Sequence, residues 1–426
     1  MPKGKKKGKY EHKRTEQAYS SDEDAGIDMT IDNCSEISGQ SDLKSNQEET
    51  ENDAQEKLEE KVLELIEALN ARANAARAAA LVALHGALQR RYLAGLLINH
   101  RATLADHISR ALRRGKDGEK RGAANVASLL ALQIGEEGTE DFMKEVRPAL
   151  FAACTDKSAS LETRTECCAS LAVLCYLLED DLTEIIEIMR MYETIFSGSY
   201  LKGDSTVKVS GPAVEEGSWH AAALDGWALL LSLLEPSHAA ALLRSQPPSP
   251  RRLVQLLEAC SLEVRMAAGA ALAVAHERTA DEELAWPEEE LVPLLLQLAR
   301  DPHKYRAKRD RKAQRATFRD ILKYFEGAEV AELSVRVGAE TVRCGGWAAR
   351  GAYGALAGAL RGGLAALAPH APPLRHALGL PAAQPLAAPQ RRLDKLQRHL
   401  QNNAACKARQ LARNKSRDKR SAALAL

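Results

Sequence analysis

The chain has 426 residues, of which 45% are apolar and only 4% aromatic. That length holds two or three domains or one elongated repeat array, and an apolar set dominated by alanine and leucine favours packed helices over sheets. The net charge of +1 conceals segregation: residues 1–14 carry seven Lys/Arg against one acid, residues 15–60 fifteen acids against two Lys, and residues 391–420 eleven Lys/Arg against two Asp. Such opposed patches point to charged partners.

No uncharged apolar run approaches the roughly 18–20 residues of a membrane span, and no apolar stretch of the secretory type follows the basic N-terminus. Eight cysteines scattered through helix-like sequence do not form a secreted disulfide framework, so a reduced compartment, cytoplasm or nucleus, is expected.

Residues 1–56 read as a disordered charged tail, low in hydrophobicity and without sustained period. It serves either as a solubilising tail or as a charge-based docking or localisation element. From 57 the pattern becomes helical, with Val62, Leu65, Ile66 and Leu69 at i, i+3, i+4 and i+7. A repeat follows. Arg77, Arg121, Arg164 and Arg265 each open a similar segment, with a small residue three positions on (Ala80, Ala124, Cys167, Ala268) and a leucine seven or eight positions on (Leu84, Leu129, Leu171, Leu272). The arginines are spaced 44, 43 and 101 apart, and the last gap holds a less obvious unit around His220, Ala221 and Trp227 behind an exposed loop at 197–218. A period of about 40–47 residues predicts a HEAT/armadillo-like α-solenoid over 57–300, stabilised by stacking of units that cannot bury their apolar faces alone. The repeat arginines are expected to pair with neighbouring loop acids rather than with RNA.

Residues 301–390 read as a small, mostly helical C-terminal domain. It comprises a basic amphipathic helix at 304–324, a short hairpin from 333–338 and 340–344, an Ala/Leu helix at 353–368, and a linker or extended crossing at 369–390 with six prolines. A basic C-terminal helix occupies 391–426.

Catalytic chemistry finds no support. The stretch at 115–122 lacks the phosphate-loop spacing, and neither a G-x-S-x-G elbow nor an H-E-x-x-H helix occurs. Cys167, Cys168 and Cys175 lack a paired C-x-x-C and a nearby histidine, so they read as small buried apolar residues. His100 and His107, near Asp106, are explained by a partly solvated helix face. No metal, cofactor or small-molecule substrate is expected.

Two basic segments are more informative. In KYRAKRDRKAQRATFRDILK at 304–323, Lys304, Arg306, Lys308, Arg309, Arg311, Lys312, Arg315 and Arg319 precede Lys323. Lys308, Arg311, Lys312 and Arg315 share one helical face, while Phe318, Ile321, Leu322 and Phe325 offer an apolar face for docking on the body. A cationic stripe on a folded helix suits phosphate backbones; a solvated helix face is the other reading. In residues 397–420, Arg398, Lys407, Arg409, Arg413, Lys415, Arg417, Lys419 and Arg420 surround a helix roughly 36 Å long whose apolar positions are small or few. A slim polycation of this kind suits an RNA-lined tunnel and is also compatible with nuclear localisation. Neither segment interleaves aromatics for base stacking.

RAKRDRKAQRATFRDIL at 306–322 and HLQNNAACKARQLARNKSRDKR at 399–420, with SDEDA at 21–25 and SYLKG at 199–203, resemble the interferon-related developmental regulator family. The resemblance implies a helical-repeat domain, a smaller C-terminal domain and no enzymatic activity. It further implies association with translationally idle ribosomes, through rRNA and ribosomal proteins, with the C-terminal helix in the mRNA path and the body over tRNA sites. A transcriptional co-regulator role, contacting histone-deacetylase co-repressor complexes in the nucleus, is the alternative it implies.

Overall fold

Several helices begin where a short polar side chain precedes an apolar run and takes up an orphan backbone N–H. Ser160 accepts from Thr163 N at 3.1 Å, Asp181 from Thr183 N at 2.8 Å and Ser261 from Val264 N at 3.4 Å. The computed structural model describes residues 54–134, 139–200, 212–300, 308–328, 332–338 and 340–382. The charged tail through residue 53, the loop 201–211 and everything from 383 onward lie outside them.

The described helices alternate between two layers. One layer holds α1 (54–68), α4 (Arg101–Arg114), α6 (Thr139–Thr155), α8 (Leu182–Phe196), α11 (Pro236–Ser245) with α12 (Pro250–Gln255), and α14 (Glu288–Arg300). The other holds α2 (Asn74–Leu88), α5 (Asp117–Gln133), α7 (Leu161–Leu178), α10 (Gly217–Leu231), α13 (Leu262–Arg278) and α15 (Lys308–Phe325). Short α3 (Ala94–Leu97) and α9 (Pro212–Glu215) lie in connections. In the second layer each helix packs on the next, α2 on α5, α5 on α7, α7 on α10, α10 on α13 and α13 on α15. This is the expected solenoid, and Arg77, Arg121, Arg164 and Arg265 each stand in the first turn or just after it on a second-layer helix. Ala80, Ala124, Cys167 and Ala268 are buried there, and the leucines that follow fill the shared core.

The repeat arginines brace the stack, with a difference from expectation. Arg77 Nε donates to Glu119 at 2.6 Å and Arg121 pairs with Glu162 at 2.5 Å, so the acids lie on the next second-layer helix rather than in a loop. Arg164 instead lies over the Trp219 ring at 4.5 Å, again on the next helix, and Arg265 donates to the Ala259 carbonyl at 3.0 Å. Buried Gln133 adds a separate clamp: it accepts from Leu93 N at 2.6 Å and donates to the Leu88 and Arg91 carbonyls, both at 2.9 Å. The turn after α2 thereby has its buried backbone groups satisfied.

Cys154 joins Cys167, Cys168 and Cys175 in the core, and burial pushes the Cys167 and Cys175 thiols well up. His107 is also buried, because its position on α4 turns inward, which corrects the partly solvated reading.

Strands β1 (Leu333–Val337) and β2 (Glu340–Cys344) form the expected antiparallel hairpin, with Val335 opposite Val342. The segment after it differs from the sequence reading in two ways. Helix α16 spans Trp347–Leu360, starting earlier than 353, and ends at Arg361, which takes a φ of 49° before Gly362 and Gly363. The early start follows from Gly346: Trp347 N donates to Glu277, and a Cβ on Gly346 would collide with that carboxylate. The proline-rich stretch is also not simply a linker, because α17 (Leu364–Leu367) leads into α18 (Pro372–Ala377), where proline occupies the first helical turn. Leu374 and Arg375 are buried, and Arg375 bonds Glu340 of β2 through both guanidinium arms at 2.7 and 2.8 Å.

Helix α16 runs across the second layer, touching α13, α10, α7 and α5. At its far end the Gln89 side chain, just beyond α2, donates to the Leu360 carbonyl at 2.8 Å. Helices α5, α7, α10 and α13 are therefore enclosed on both sides, which accounts for apolar residues all round them.

Candidate nucleic-acid interface

Helix α15 lacks the apolar surround of its neighbours, since its sequence alternates cations with a narrow apolar stripe. Phe318 and Ile321 are fully buried, Leu322 nearly so and Phe325 partly, as the i, i+3, i+4, i+7 spacing predicts. Gly269 of α13 permits the approach: a Cβ there would lie 2.8 Å from Ile321 Cδ1 and 2.9 Å from Phe318 Cε1. Gln314, also buried, reaches the Leu298 carbonyl of α14 at 3.4 Å.

The C-terminal end of α15 is pinned by an aromatic cluster. Tyr324 Oη lies 2.9 Å from His276 Nδ1, and Trp286, Tyr324 and Phe325 surround that imidazole with centroids 4.8 to 5.3 Å away. Burial lowers the His276 pKa, with Glu288 opposing the shift. Tyr324 also faces Trp347 at 6.1 Å, joining α15 to the start of α16. A chain with few aromatic residues thus gathers five aromatic or imidazole rings where the last repeat meets the C-terminal segment.

On the opposite face Lys312, Arg315, Arg319 and Lys323 are exposed, and among the described side chains of this helix the exposed acid is Asp320. Lys312, Arg315 and Arg319 stand at i, i+3 and i+7, so the helix presents a cationic stripe held by a buried stripe behind it. Lys308, Arg309 and Arg311 belong to the first turns of α15, but their side chains are not among those described. Lys304, Arg306, Arg398, Lys407, Arg409, Arg413, Lys415, Arg417, Lys419 and Arg420 lie outside the described residues altogether. The stripe can bind phosphate oxygens at fixed spacing, and the aromatic rings beneath it are packed inward rather than offered for base stacking.

Among the described residues no group of three or more His, Cys, Asp or Glu is placed to hold a metal ion, and no helix is long and apolar enough to cross a membrane. Two features escaped sequence reasoning. One is the path of α16 across the second layer, which no local pattern encodes. The other is a large cleft beside α18, assembled from segments far apart in the chain.

Residues 33–326 match the family described as Interferon-related developmental regulator, and residues 375–421 match the Interferon-related protein conserved region. Among curated proteins, the chain is 35% identical to interferon-related developmental regulator 2 of Mus musculus over 351 residues, covering 81% of this chain and 78% of that protein. It is 34% identical to interferon-related developmental regulator 1 of Mus musculus over 417 residues, 96% of this chain and 91% of that protein. The Homo sapiens regulator 1 is 33% identical over 352 residues, 81% of this chain and 77% of that protein.

Proposed function

The chain belongs to the interferon-related developmental regulator family, and from that premise we propose that it is a non-enzymatic, ribosome-binding protein that holds ribosomes translationally inactive. In this reading the solenoid supplies shape, the cationic face of α15 grips rRNA phosphates, and residues 397–420 occupy the mRNA channel while the body covers tRNA sites. The observation that carries it is the two-faced α15: Lys312, Arg315 and Arg319 project outward from a helix whose other face is locked by Phe318 and Ile321. Guanidinium forks on a rigid element suit the fixed phosphate geometry of folded RNA. The path of α16 favours this reading over a co-repressor scaffold. Solenoids commonly offer a helix layer to protein partners, and here the chain's own α16 covers that layer on α5, α7, α10 and α13.

The test is the salt dependence of binding to purified non-translating ribosomes. Replacing Lys308, Arg311, Lys312 and Arg315 together by glutamine should flatten the slope of log K against log salt by roughly 0.7–0.9 for each phosphate that is no longer neutralised. An unchanged slope would mean that this face points only into solvent.

A further inference from the structure

Helix α3, the residue after α5 (Ile134), the N-terminal half of α6, the C-terminal end of α7 and helix α18 line an open cleft of about 1530 Å³. Small-molecule sites run to roughly 300–1,000 Å³, so this volume suits a stretch of polypeptide better than a metabolite. Its apolar lining comes from Ile98, Met143, Leu177 and Leu178, and Ile98 is left 47% exposed, unusual for an isoleucine beside a packed core.

The cleft carries charges of both signs, Arg101 and the Lys144–Glu140 pair among them, and they are unevenly satisfied. Arg147 is taken up by Glu179 at 2.7 Å and Glu184 at 2.9 Å, and Arg375 by Glu340. Asp180 and Asp181, at the turn from α7 to α8, are exposed, and neither makes an ion pair among the described residues. Asp181 also caps α8, its Oδ1 accepting from Thr183 N at 2.8 Å.

The chain itself indicates the occupant. Leu380 and Ala382 line the cleft, and Ala382 is the last described residue, so the chain proceeds from within it. The next eight residues, AQPLAAPQ at 383–390, are uncharged with a single large hydrophobe, Leu386, and Arg391 and Arg392 follow at once. At about 3.3–3.6 Å per residue, Leu386 stands within roughly 14 Å of Ala382 even when fully extended. An apolar stretch followed by two arginines matches an apolar lining beside the exposed turn at Asp180 and Asp181.

We propose that the cleft seats this chain's own residues 383–392, with Leu386 among Ile98, Met143 and Leu177, and Arg391 and Arg392 against Asp180 and Asp181. Seating would fix the root of the basic C-terminal segment on the solenoid, so that residues 397–420 start from a set point. The inference does not depend on RNA binding and is tested without RNA.

Full-length protein carrying the photo-crosslinker p-benzoylphenylalanine at position 386 would be irradiated as a mixture of ¹⁴N- and ¹⁵N-labelled molecules. Crosslinks within one molecule to segments 94–101, 139–147 or 177–184 are expected. Crosslinks between molecules, which would indicate a second copy in the cleft, or crosslinks elsewhere on the chain, overturn the proposal. As a second readout, Leu386→Asp in the full chain should speed amide exchange of residues 94–98 by about tenfold or more, the factor expected when a buried leucine loses its site. Exchange that is unchanged in both Leu386→Asp and the Arg391→Glu/Arg392→Glu variant overturns it as well.

Discussion

Gln133 offers a direct measure of how the repeats are held together. Its side chain is fully buried at the end of α5 and serves three backbone groups of the turn after α2. Leucine is close in volume, so Gln133→Leu removes the hydrogen bonds while opening little space. Leu93 N and the Leu88 carbonyl are then left without partners in a buried setting, and the Arg91 carbonyl, partly buried, can turn to water. An orphaned buried polar group costs about 1–3 kcal/mol, so two of them give a loss of roughly 2–6 kcal/mol. That is a large fraction of the stability of about 5–15 kcal/mol typical of folded proteins. Urea unfolding followed by circular dichroism reads the total. Hydrogen exchange at residues 88–97 reads the local share, which should exceed that at α10 and α13 because solenoid contacts are nearest-neighbour. Gln133→Glu retains the acceptor for Leu93 N but faces two carbonyls with a carboxylate, so it should cost at least as much. A destabilisation below about 1 kcal/mol, with exchange at Leu93 unchanged, would show that the turn does not rely on this side chain.

Arg77→Ala should destabilise the first repeat interface by about 1–3 kcal/mol, because it leaves the 5% exposed Glu119 carboxylate without its guanidinium partner. It should leave RNA affinity unchanged, and a weakened, flatter salt dependence would instead make Arg77 a phosphate contact. His220, held at 2.7 Å from Ser199 Oγ, has its pKa lowered to about 4 by burial and by Arg164, with Glu216 at 3.8 Å. The unfolded chain therefore binds the additional proton between about pH 6.5 and 4, and stability falls as pH drops through that window, by up to roughly 3 kcal/mol. His220→Gln should flatten the profile of unfolding free energy over the same range, and superimposable profiles would contradict the assignment. Gly346→Ala should cost about 1–3 kcal/mol by overpacking against Glu277, detectable as earlier exposure of α16 in hydrogen exchange.

The solenoid was legible because its information is periodic. The Arg, small residue and leucine recur at fixed offsets, and each stands at an equivalent place on a second-layer helix. The sequence held a further signal, Ser160-Leu161-Glu162-Thr163-Arg164 beside Ser261-Leu262-Glu263-Val264-Arg265, in which a capping serine precedes Arg164 and Arg265, two of the four repeat arginines, by four residues. The two faces of α15 were readable for the same reason. The partners of the arginines were not, since a loop acid and an acid on the next helix are equally compatible with the spacing. The course of α16 was hidden for a physical reason. Its buried positions, Trp347, Ala352, Leu356 and Leu360, could pack on many apolar surfaces, and its start depends on one close approach, between Gly346 and Glu277 of α13. Likewise α18 lies in a proline-rich stretch that reads as a linker until Arg375 meets Glu340 of the hairpin.

The central claim, that the basic segments act on ribosomes, is tested most directly by in-vitro translation at matched ribosome occupancy. Full-length protein and the charge-reversed variant Arg409→Glu/Arg413→Glu/Arg417→Glu would be compared, with ribosome-bound protein measured by sedimentation in the same reactions. The account predicts that the variant still sediments in part with ribosomes, through α15, but no longer blocks translation. Its C-terminal segment would no longer enter an RNA-walled channel where a helix about 10–12 Å wide leaves no room for mRNA. Equal inhibition by the two proteins at equal occupancy, or no sedimentation of the full-length protein with ribosomes at low salt, would contradict it.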